Sequence, residues 1–86
     1  MHTVELLQQA LELAGRLGYV VRQEWLGGCG GGGCELRGRK TVFLDLALSP
    51  IDQLDQVLDA LRGDPDVRNL PMPHELREIL KLRKSA

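Results

Sequence analysis

Apolar residues recur along the first 17 positions at helical spacing. Val4, Leu7, Leu11 and Ala14 form one stripe, and Leu6, Ala10, Leu13 and Leu17 flank it. So wide a band predicts a well-buried amphipathic helix, with Thr3 as its cap and Glu5 in its first turn. Gly18 suits a left-handed cap before a strand. From Tyr19 to Leu26 the chain is rich in β-branched and aromatic residues with polar ones interspersed, which predicts a strand, and the run from Gly27 to Gly33 interrupts it. Cys34 to Arg37 and Thr41 to Leu46 read as a second and third strand, joined by a turn at Gly38-Arg39-Lys40. A three-residue turn keeps Cys34, Leu36, Val42, Leu44 and Leu46 on one face, with Glu35, Arg37, Thr41, Phe43 and Asp45 on the other. A two-residue turn would mix the two sets.

Ser49-Pro50-Ile51-Asp52 marks a second helix start: a capping hydroxyl, proline at the first helical position, and a carboxylate that can reach back. That helix is expected to run to about Arg62. Ile51, Leu54, Val57, Leu58 and Leu61 line one face, Asp52, Asp55 and Asp59 the other, and Gly63 ends it. Asp64-Pro65 and Leu70-Pro71-Met72-Pro73 break the chain, leaving a short last helix from His74 to about Arg83 with Leu76, Ile79 and Leu80 apolar. The expected fold is a single two-layer α+β domain spanning residues 1–86. Its order is helix, three-stranded antiparallel sheet, helix and short C-terminal helix, with the two longer helices on one sheet face.

Composition narrows this picture. At 86 residues a single core buries a modest share of the surface, so self-association or a protein partner is expected to add stability. With Tyr19, Trp25 and Phe43 as the only aromatics, the core must be aliphatic. Eleven basic residues against 12 acidic ones argue against nucleic-acid binding through a phosphate backbone. No apolar run is long enough to span a bilayer and the N-terminus lacks the regions of a signal peptide, so a cytoplasmic protein without a membrane association is expected.

The candidate chemistry gathers between residues 25 and 46. The glycine run is followed by a strand rather than a helix, which favours a bulged hairpin loop over a phosphate cradle. Cys29 and Cys34 supply two thiolates, short of the four ligands of a structural zinc site, so a zinc ion there would need two copies meeting loop to loop. Cys34 alternates into the apolar face and also reads as a small core residue. With the three-residue turn, Glu35 lies opposite Phe43 and is diagonal to Asp45, roughly 7 Å away at the β-carbons. At that reach the two carboxylates could hold a divalent ion. Trp25, Arg37 and Phe43 are the candidate contact residues, although Trp25 packed against the first helix is the commoner fate for such a side chain.

The first helix, Leu17-Gly18-Tyr19-Val20-Val21, the glycine loop with Cys34-Glu35-Leu36, and Val42-Phe43-Leu44-Asp45-Leu46-Ala47 together resemble the core of the PD-(D/E)xK nuclease-like superfamily. The resemblance covers about residues 4 to 62. It implies a magnesium site built from Glu35 and Asp45, with Glu5 or Glu12 as auxiliaries. It also implies a lysine two residues beyond Asp45, where this chain has Ala47, so the resemblance points to a scaffold that has lost its activity. The element order is similar to that of the double-stranded RNA-binding domain as well, but the acidic start of the second helix repels phosphate.

The leading expectation is a non-enzymatic protein-interaction module that self-associates through an exposed sheet face or edge strand. A divalent-metal nuclease using Glu35 and Asp45 is one alternative. A metal or redox site of Cys29 and Cys34 at a dimer interface is the other.

Overall fold

The computed structural model describes residues 3–28 and 32–80, with residues 32–36 as backbone. Helix α1 spans Thr3–Arg16, strand β1 Val20–Glu24, β2 Gly32–Leu36, β3 Arg39–Asp45 and helix α2 Pro50–Arg62. A 3-10 turn at Val67–Asn69 and a short helix α3, His74–Ile79, follow. The α+β class and the order of elements agree with the pattern along the chain. No helix among the described residues is long and apolar enough to cross a membrane.

The sheet differs from expectation. Its order is β1-β3-β2, with β1 parallel to β3 and β2 antiparallel to it, so it is mixed rather than an antiparallel meander. The expectation assumed that consecutive strands pair, which sequential elements do only about two-thirds of the time. Burial overrides sequence order here. Val42 and Leu44 of β3 are almost completely buried and Thr41 is close to it, which suits the central position, where a strand is covered on both edges. Glycine-containing β2 and polar β1 (Val-Val-Arg-Gln-Glu) take the edges. The two edge strands stand on either side of β3, about 10 Å apart at ~4.8 Å per strand spacing.

A second correction concerns the hairpin. Leu36 pairs with Arg39, leaving a two-residue turn of Arg37 and Gly38, with φ of 54° and 76°. Two successive positive φ values define the turn type whose twist matches that of a hairpin, and glycine is needed at the second position. The register therefore sets Cys34 against Thr41 and Glu35 against Lys40. This reverses the facial parity expected from a three-residue turn.

Helix α1 ends in two hydrogen bonds, from Gly18 N–H to the Gly15 carbonyl and from Tyr19 N–H to the Ala14 carbonyl, both 3.0 Å, with Gly18 at φ 90°. This is the double-bonded left-handed cap that the position of Gly18 suggests. The helix is rotated from the expected stripe. Leu6, Ala10, Leu13 and Ala14 are buried while Val4 is exposed, because α1 packs on α2 as well as on the sheet. Helix α2 buries Leu54, Val57, Leu58 and Leu61, and Ile51, expected among them, is 59% exposed in the first turn. Val67, Leu76 and Leu80 complete an aliphatic core. Val42 and Leu44 face the helices, and among the described residues no helix packs on the opposite sheet face.

Candidate functional site

Two constructions and one open surface account for the polar residues near the sheet. The first construction is centred on Asp45, at the C-terminal end of β3 and 0% exposed. One carboxylate oxygen accepts the N–H of Leu26 at 3.0 Å and of Ala47 at 2.9 Å, and the other accepts the N–H of Gly28 at 2.6 Å. Burial pushes the Asp45 carboxyl up, but the amides of Ala47, Leu26 and Gly28 outweigh it and hold the group below the usual carboxylate range. Asp45 is thus a latch for the loop that leaves β1. Gln56 of α2 accepts the Asp45 N–H at 3.2 Å and ties the latch to the helix layer.

Glu35 is not brought to it. Opposite Lys40 in the register, Glu35 stands five residues along β3 from Asp45, about 16 Å at ~3.3 Å per residue. Both oxygens of Asp45 are already occupied by amides, so the expected diagonal carboxylate pair does not form. Cys29 lies outside the described residues, and Cys34 is a backbone position in β2 opposite Thr41. Among the described residues no three His, Cys, Asp or Glu side chains gather as metal ligands would.

The second construction lies at the other end of β3, and the sequence reading missed it. Lys40 Nζ donates to Asp64 Oδ2 at 2.8 Å and sits 4.8 Å from the centre of the Tyr19 ring, and the Tyr19 hydroxyl also bonds to Asp64. Asp64 in turn accepts the N–H of Asp66 at 2.8 Å. The Lys40 hydrogen bond is the main cause holding the Asp64 carboxyl below its ordinary range, and burial only partly opposes it. The bond to Asp64 likewise raises the Lys40 ammonium, and burial, followed by the Asp64 charge, raises the Tyr19 hydroxyl. This cluster fastens the end of α2 to the start of the sheet. In the sequence, Asp64-Pro65 showed only as a helix stop and Lys40 only as a turn residue.

The open surface is the sheet face on which no helix packs among the described residues. The parallel register places Val20 beside Thr41 and Arg22 beside Phe43, all on the side away from the helices. Val20, Arg22, Arg37, Arg39 and Thr41 line a shallow groove of about 480 Å³. Thr41 is its buried floor, and the Arg22 guanidinium lies over the Phe43 ring, 5.9 Å from its centre. Glu24 pairs with Arg22 at 2.9 Å. At the mouth of the latched loop Trp25 is 75% exposed, contrary to the expectation that it packs on α1. Of the three candidate contact residues, Arg37 and Phe43 border this surface, and Trp25 follows directly from the strand that forms its edge.

Comparison of the chain with protein-family models, characterised proteins and solved structures finds no match.

Proposed function

We propose that the chain is a non-enzymatic protein-interaction module whose docking face is the open side of the sheet, with self-association as its working form. One observation carries this reading. Among the described residues the sheet is backed by helices on one side, and its other side exposes Val20 and Arg22 around a buried Thr41 floor, while Trp25, directly after β1, is 75% in solvent. Tryptophan and arginine are the residue types that dominate binding energy at protein interfaces. Strand β1 is an edge strand of the sheet, and an edge is a surface that a partner chain can also use. The separation of Glu35 from Asp45, and the use of Asp45 and Asp64 as structural fasteners, support a binding role over hydrolysis.

Native mass measured as a function of concentration tests this. The wild-type chain is expected to grow beyond a monomer, and Val20→Asp, which puts a charge in the exposed groove without touching the core, is expected to stay monomeric. A wild-type chain that remains monomeric throughout overturns the reading. Trp25, the single tryptophan, reports the competing ligand class: a single-stranded oligonucleotide is expected to leave its fluorescence unchanged, and saturable quenching would reassign the face to nucleic acid.

A further inference from the structure

We propose that the open sheet face docks onto the acidic outer surface of α2 of a second copy of the chain, in a head-to-tail contact. This rests on the docking reading above and specifies its partner. The basis is a segregation of charge that the total conceals. The chain as a whole has a net charge of -1, yet the sheet side carries Arg22, Arg37 and Arg39 against Glu24, whereas the exposed side of α2 carries Asp52, Asp55 and Asp59 against Arg62. Near-neutral chains do not repel one another, and opposite surface potentials steer them into register.

Spacing agrees with charge. Arg22 is level with Phe43, four residues along β3 from Arg39, a separation of about 13 Å at ~3.3 Å per residue. Asp52 and Asp59 lie seven residues apart on one helix face, about 10 Å at ~1.5 Å per residue. Each surface also offers an apolar side chain beside its charges, Val20 on the sheet side and the exposed Ile51 on the helix side.

The bonds already made within the chain leave charge available. Arg22 pairs with Glu24, Asp59 with Arg62 at 3.1 Å, and Asp52 with the Ser49 hydroxyl at 3.1 Å. Arg37, Arg39 and Asp55 have no ion-pair partner among the described residues. Because the two surfaces differ, the contact does not close on itself in a two-fold dimer. It propagates into a ring or an open chain.

A charge exchange tests the proposal on the full-length protein. Arg22→Glu with Arg39→Glu makes both surfaces acidic, and Asp55→Lys with Asp59→Lys makes both basic, while the start of α2 is left intact. Each variant alone is expected to lose association by about tenfold or more, and an equimolar mixture to regain it, with the two variants alternating. Melting curves confirm that both are folded. If the sheet variant fails to associate but the helix variant associates like the wild type, α2 is not the partner and the proposal falls while the docking reading stands. A mixture that does not recover overturns the proposal as well, and a wild type that never associates overturns both. Should either variant not fold, the wild type decides alone. Its association must weaken between about 0.05 and about 0.5 M salt, and salt-independent association overturns the proposal.

Discussion

Asp45 illustrates how much a single buried carboxylate can organise when donors from separate segments converge on it. Its oxygens gather Leu26, Gly28 and Ala47, so the loop leaving β1 and the turn leaving β3 are fixed by one residue. Asparagine in its place retains the shape but offers an N–H₂ where an acceptor is required, leaving at least one amide without a partner. Asp45→Asn is therefore expected to lower the melting temperature, and Asp45→Ala to lower it further, as read by thermal circular dichroism. Arg37 presents the opposite case. At φ 54° it occupies a region that costs most residues about 1 kcal/mol, and asparagine is preferred at the first position of such a turn. Arg37→Asn is expected to stabilise the hairpin by about 0.5–1 kcal/mol in urea unfolding. Gly38→Ala should cost at least that much.

Among the elements, the clamp between α2 and β3 relies on Lys40 and Asp64, whose carboxylate is 3% exposed. Removing only the lysine leaves a buried charge without its cation. Lys40→Met is accordingly expected to destabilise more than the double variant Lys40→Met with Asp64→Asn, a difference that a double-mutant cycle measures directly. The same scale shows what could be read along the chain. The helices were legible because their apolar residues repeat at helical period and because Gly18 and Pro50 mark their boundaries. Strand positions were legible from β-branched residues. Strand partners were not, since Val20–Glu24 carries no mark distinguishing a neighbour at β2 from one at β3. The choice depends on Val42 and Leu44 requiring cover from both sides, a property of the assembled core. Likewise the Arg37-Gly38 turn was hidden because arginine seldom adopts a positive φ. Reading a three-residue turn at 38–40 in place of the two-residue turn at 37–38 set Glu35 opposite Phe43 rather than Lys40, three residues out of register, and produced an acidic pair with Asp45 that does not exist. The Asp64 cluster joins residues 19, 40 and 64, and no local spacing reveals it.

For the molecule as a whole, the titrating groups frame a window of stability. The carboxyls of Asp45 and Asp64 both lie below their ordinary value of 3.8 when folded. Their stabilisation is thus complete above that value and drains away as the pH falls through their folded values. Lys40 lies above its ordinary 10.5 and Tyr19 above 10.0, so their contribution is complete below those values and is lost as the pH climbs through the folded ones. The Lys40–Asp64 bond appears at both flanks because it is one interaction seen from two partners. Melting temperature is expected to form a plateau across the neutral range with a fall at each end. In Asp45→Asn the acid flank should flatten. Because the sequence pI of about 6.1 falls within the plateau, the pH at which the folded chain is sturdiest is also the one at which copies repel each other least.

The strand order also sets a sequence of events in time. Leu36 and Arg39 meet across two intervening residues, whereas Val20 must find Thr41 across twenty, with a turn and an entire strand between them. Closing the longer circuit costs more chain entropy, so the hairpin is expected to form early and β1 to dock onto it late. The latch at Asp45 can engage only after that docking, which makes it a brake on unfolding rather than an aid to folding.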